Sequence, residues 1–129
     1  MSILSQAERD AHWDEFVEAM EPYLRADPLT KARIRVQGYL EEDQARRRAG
    51  RPATLDERWG ATLRKAEQRI LNDDWLEDTD KVELIGRLLE TEHQVIIRHI
   101  GQRTMHTEYE LIDLRERVKW LLRKALGGH

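Results

Sequence analysis

The chain has no cysteine, three prolines and a single phenylalanine in 129 residues. Without cysteine there is no disulfide, no thiolate zinc site and no cysteine nucleophile, and a reducing, cytoplasmic setting is expected. No apolar run reaches the roughly 18 residues of a membrane span, so no membrane association is expected. Met1-Ser2-Ile3-Leu4 is too short an apolar stretch for a secretion signal. β-branched residues are sparse, which disfavours a sheet buried on both faces. No segment is low in complexity and no internal repeat is visible.

What is abundant is charge, at 36% of residues, together with Ala, Leu, Glu, Arg and Gln. These are helix formers, and such polarity leaves room only for narrow apolar stripes. The expected fold is all-α, a compact bundle of five to six amphipathic helices. A chain of this length supports one core, so a single domain over residues 1–126 is expected. Residues 127–129 (Gly-Gly-His) are set aside as a disordered tail or tag remnant.

Capping patterns divide the chain. Ser5 with Glu8, Thr54 with Glu57, and Thr107 with Glu110 have the S/T-x-x-E spacing, in which side chain and backbone satisfy each other at a helix start. Asp27-Pro28 is an N-cap followed by proline at the first helical position. Asp78-Thr79-Asp80 offers caps for another helix. Pro22 predicts an end or kink in the first helix, and Gly50 with Pro52 stops the second. Trp13, Phe16, Val17, Met20 and Leu24 form an apolar face on the first helix that reads as a core-packing surface. Leu29, Ala32, Val36, Tyr39 and Leu40 continue on the second. Leu55, Trp59, Leu63, Ala66 and Ile70 line the third, and Leu111, Leu114, Val118, Leu121, Leu122 and Ala125 the last.

Charge is unevenly distributed. Residues 1–30 hold two basic and seven acidic residues, 31–69 eleven and six, and 70–129 nine and twelve. The net charge of −3 argues against indiscriminate nucleic-acid binding, but the basic residues gather in the middle third. There Arg46, Arg47, Arg48 and Arg51 surround Ala49-Gly50. This run resembles the flexible basic arms that enter minor grooves, where narrow A·T tracts attract arginine. It also reads as a solvated helix terminus.

Residues 84–100 are the richest apolar segment, and they admit two foldings. Val82, Ile85, Leu89, Ile96 and Ile100 share one helical stripe, which suits a single long helix. Thr91 with Gln94 instead has capping spacing just before Val95-Ile96-Ile97, which favours a break after Glu90. With that break the segment resembles the helix-turn-helix family of DNA-binding proteins. Ile85, Gly86, Leu89, Ile96 and Ile100 fall on its framework positions, Gly86 where two helices would cross closely. The resemblance implies a second helix that presents His93, Gln94 and Arg98 to nucleic acid, where Gln reads adenine edges and Arg reads guanine or phosphate.

Other chemistry is thinner. Arg87 and His93 match the arginine-to-histidine spacing of helical RNases of the HEPN class. Glu90 and His93 form one Glu-x-x-His pair, whereas di-iron bundles use two such pairs and two further glutamates; no metal and no cofactor is expected. Trp75, among Asn72, Asp73, Asp74, Glu77 and Asp78, reads either as a loop tryptophan folded back on the core or as an exposed anchor for a protein partner. The leading expectation is a non-enzymatic, nucleic-acid-associated protein, a DNA-binding regulator or a small subunit of a nucleoprotein complex. DNA is favoured over RNA, and Arg46, Arg47, Arg48, Arg51, His93, Gln94 and Arg98 are the contacts. A protein-binding adaptor or inhibitor from a mobile element or defence system, with a partner or a homodimer, and the RNase remain alternatives.

Overall fold

The computed structural model describes residues 5–99 and 107–126, with the backbone alone at His99. The expectations for Ile100 and for the 127–129 tail lie outside the described residues. Five helices follow in order: α1 (Gln6–Arg25), α2 (Pro28–Arg48), α3 (Leu55–Leu71), α4 (Asp78–His99) and α5 (Glu108–Leu126). Among the described residues there is no strand, and the fold is an all-α bundle. None of these helices is long and apolar enough to cross a membrane.

The helix starts follow the capping chemistry. Ser5, Asp27, Thr54 and Thr107 each accept a hydrogen bond from the backbone N–H three residues on. At Thr54 and Thr107 the glutamate reciprocates by accepting from the cap residue's own N–H, at 3.2 and 3.1 Å. Asp80 accepts from the Glu77 N–H ahead of α4. Each cap occupies donors that a helix end otherwise leaves open. Pro22 does not end α1, which runs on to Arg25. The proline is exposed and stands in the last turns, where the Glu18 carbonyl it leaves without a helical donor is on an exposed residue and can bond water.

α3 is the central helix and packs against α2, α4 and α5. Ion pairs give the directions. Arg35 in the first half of α2 pairs with Glu67 late in α3, and Arg51, in the loop just past α2, pairs with Glu57 in the first turn of α3, so the two helices run antiparallel. Lys81 at the start of α4 donates to the Leu71 carbonyl at the end of α3, and Arg64–Glu92 lies further back along α3 and further on along α4, so these two are antiparallel as well. Arg58–Glu108 joins the beginnings of α3 and α5, which run parallel. The core combines Leu29 and Ala32 of α2, Trp59, Leu63, Ala66 and Ile70 of α3, Leu84, Ile85, Leu88 and Val95 of α4, and Leu111, Leu114, Val118, Leu121 and Leu126 of α5. Each fully buried aliphatic side chain there contributes about 1.5–3 kcal/mol.

Two open readings are decided and one expectation is corrected. First, α4 runs unbroken through Glu90 and Thr91. The Thr91 hydroxyl donates to the Arg87 carbonyl and the Gln94 amide donates to Glu90, both contacts between residues four apart along a continuing helix. The inward face is Leu84, Ile85, Leu88 and Val95; Leu89 is half-buried and Ile96 is exposed. Gly86 is exposed as well, with nothing within 4 Å of where a Cβ would stand, so no helix crosses there. Second, the α1 face is not a core surface. No α1 residue is buried; Trp13 and Phe16 are 64% and 55% exposed, and among the described helices α1 packs against α2 alone. Third, the Arg46–Arg51 stretch is not a flexible arm. The Gly50 N–H bonds the Arg47 carbonyl and the Arg51 N–H bonds the Arg46 carbonyl. That pair of bonds is a Schellman closure, which needs the left-handed backbone that Gly50 supplies at φ 67°.

Candidate nucleic-acid interface

An open groove of about 840 Å³ lies between α2, α3 and α5. Small residues make room for it: Gly38 on α2 and Gly60, Ala61 and Ala66 on α3 line it. Its walls are basic, with nine Arg or Lys side chains against four carboxylates. Several of those charges are already matched. Arg46 and Arg47 share Asp43, at 2.9 and 2.8 Å, and Arg58 is paired with Glu108. Arg35 holds Glu67 through two nitrogens.

Glu67 is fully buried, inside a stripe that is otherwise Leu63, Ala66 and Ile70. A charge taken out of water needs close partners. Arg35 supplies directed hydrogen bonds, and Arg64 Nη2 stands 2.7 Å from Glu67 Oε1. Arg64 Nη2 and Nε nonetheless make no well-directed hydrogen bond, so Arg64 meets Glu67 as a charge contact. Arg35 also donates to the Tyr23 hydroxyl, which ties the last turn of α1 through α2 to α3. Sequence reading passed over Arg35 and Glu67. The signal was present: Glu67 is four residues after Leu63 and three before Ile70, an inward position occupied by a carboxylate.

Lys65, Arg69 and Arg115 differ from the rest of the wall. They line the groove and have no ion-pair partner among the described residues. Lys65 and Arg69 are four apart on α3, hence about 6 Å along the helix axis. Tyr39 lines the same groove half-buried. Burial, and then the nearby Asp43 carboxylate, raise its phenol pKa, so it stays neutral at ordinary pH.

The residues expected from sequence are divided by this geometry. Arg46 and Arg47 line the groove. Arg48 is exposed at the end of α2. Arg51 grips Glu57 with both terminal nitrogens, at 2.6 and 2.9 Å. That grip, with the Thr54 N–H, lowers the Glu57 carboxyl from its ordinary 4.5 to about 2. His93, Gln94 and Arg98 are on α4, which contributes nothing to the groove. Gln94 is bonded to Glu90, and Arg98 stands 3.5 Å from Asp113. Arg87 is held by Glu83 at 2.6 Å. Six residues apart on one helix, Arg87 and His93 point about 120° away from each other, so they do not converge on a common substrate. Trp75 is 78% exposed in the turn between α3 and α4. No group of three or more His, Asp or Glu among the described residues is arranged to hold a metal ion. The chain matches no protein-family model, no curated protein and no solved structure.

Proposed function

We propose that this is a non-enzymatic, cytoplasmic nucleic-acid-associated protein that takes a single strand in the α2–α3–α5 groove. The observation that carries the reading is the set Lys65, Arg69 and Arg115, three cations facing one groove with no ion-pair partner among the described residues. Unmatched cations gathered along one groove suit a polyanion, whose phosphates release counterions on contact. Tyr39 between basic walls supplies the second element of single-strand recognition, a face on which a base stacks. Stacking on Tyr39 needs an unpaired base, so the groove favours a single strand over a duplex. Arg46 and Arg47 add positive potential at the wall, screened by Asp43. The reading transfers the nucleic-acid role from α4 to the groove; the DNA-over-RNA preference stays open to the same assay.

The test is fluorescence anisotropy with labelled single-stranded DNA, single-stranded RNA and duplex DNA of equal length at low salt. The single strands bind more tightly than the duplex. Replacing Lys65, Arg69 and Arg115 together by alanine weakens binding at least tenfold and flattens the plot of log affinity against log salt by about 2, since each phosphate contact on a single strand contributes about 0.7 to the slope. Tyr39→Ala costs about 1–3 kcal/mol of binding. No binding of any strand at low salt, or binding indifferent to all four residues, refutes the reading.

A further inference from the structure

We infer that α1 of one copy docks in the α2–α3–α5 groove of a second copy, as an exchanged arm. The inference uses the same groove as the nucleic-acid reading but does not depend on that reading.

The arm is a helix whose apolar face is exposed among the described residues. Trp13 and Phe16 have ring centroids 5.7 Å apart, and with Val17 and Leu24 they form an exposed stripe. Within α1, Met20, Glu21 and Tyr23 alone are half-buried, all near its end. The helix therefore projects from the bundle, about 30 Å long for its 20 residues. Two residues, Ala26 and Asp27, join it to α2, and Tyr23 is pinned by Arg35 and by Lys31, whose Nζ is 5.7 Å from the ring centroid. That short, anchored joint holds the arm off its own groove, to which α1 contributes no residue.

Charge decides what covers the stripe. α1 carries six acidic residues and two basic. Pairing two copies of α1 would bring like charges together, which is destabilising. The groove has the opposite sign to offer: Lys65, Arg69 and Arg115 line it with no ion-pair partner among the described residues, beside Ile34, Val118 and Leu122. It therefore offers apolar surface to the stripe and cations to the rim. At 100° per residue, Asp10, Asp14 and Glu21 flank the stripe on one side. Asp10 and Asp14 are four apart, as are Lys65 and Arg69. Lengths agree too: Trp13 to Leu24 rises about 17 Å, as does the α3 wall from Arg58 to Arg69. Reciprocal exchange closes as a two-fold dimer, with each arm in the other's groove.

The test is sedimentation velocity on the full chain over a concentration series, at low and high salt and without nucleic acid. A monomer–dimer equilibrium that weakens with salt is expected. Trp13→Asp with Phe16→Asp, and separately Lys65→Glu with Arg69→Glu, each weaken association roughly tenfold or more. Thermal melts of these exposed-site variants check that the bundle is intact. Combining Lys65→Glu and Arg69→Glu with Asp10→Lys and Asp14→Lys restores the dimer. A chain that stays monomeric at every concentration overturns the inference, and so does a dimer indifferent to the groove substitutions. The two readings fail separately: a chain that binds no strand yet shows this pattern supports the exchange, and the Trp13/Phe16 variant binds strands at least as well as the unmodified chain because its groove is free.

Discussion

α1 and α3 are built from similar parts. Each begins at a hydroxyl cap, each has aromatic and aliphatic residues at helical spacing, and they are 20 and 17 residues long. Yet α3 buries Trp59, Leu63, Ala66, Glu67 and Ile70, while α1 buries nothing. The difference comes from neighbours. α3 has α2, α4 and α5 around it, whereas among the described helices α1 meets α2 alone. An apolar stripe shows that a helix has a face to cover. It does not say whether the cover comes from the same chain.

The largest effect separates the two helices by stability. Leu63→Ala removes a fully buried side chain from the central helix and is expected to destabilise by about 2–5 kcal/mol. Phe16→Ala, the larger truncation, is expected to move the stability of dilute protein by less than about 0.5 kcal/mol, as at an ordinary surface site. Chemical denaturation of both variants checks this; equal losses would mean that α1 is part of the core. A smaller contrast lies in the caps. Thr54→Ala is expected to lower global stability by about 1 kcal/mol. Ser5→Ala, the same chemistry on α1, is expected to reduce far-UV helicity at unchanged denaturation midpoint, because an arm outside the core frays without unfolding the rest.

The smallest effect is acid sensitivity at the α3 start. Glu57 has a folded-state pKa of about 2 against an ordinary 4.5. A depressed carboxylate stabilises the fold fully above the unfolded value, and that contribution disappears as the pH falls from about 4.5 to about 2. Arg51→Ala removes the largest cause of the shift. The variant is therefore expected to lose less stability than the parent across that window, measured by urea unfolding at stepped pH. Exposure and salt screening keep the effect modest. Parallel acid curves for the two proteins would mean that the Arg51–Glu57 grip does not hold in solution.

Local features were readable because their causes are local. Ser5, Asp27, Thr54 and Thr107 cap the helices they were expected to cap, since each needs only a backbone N–H three residues away. The inward faces of α3 and α5 were legible for the same reason: strong, single stripes leave one orientation. α4 was not, because it has apolar residues on more than one side. Val82, Leu89 and Ile96 make a stripe as regular as Leu84, Leu88 and Val95, and packing against α2, α3 and α5 selects the second. The same packing removes the turn after Glu90. Leu88 and Val95 are seven residues apart, two turns of one helix, and both are buried. A break between them would rotate one of them out of the core.

The groove was the least legible feature. Lys65, Arg69 and Arg115 look like solvated charges in sequence, and they converge only because α3 and α5 run parallel with Gly60 and Ala61 leaving space between them and α2. By itself the sequence determined helix identity, the helix starts and the uneven charge, because these follow from backbone capping, side-chain spacing and composition. Tertiary structure decided which stripe of α4 faces inward, that α1 stands outside the core, and that basic residues of α2, α3 and α5 line one groove. Each of those outcomes depends on which helix lies beside which, a long-range choice that no local pattern encodes.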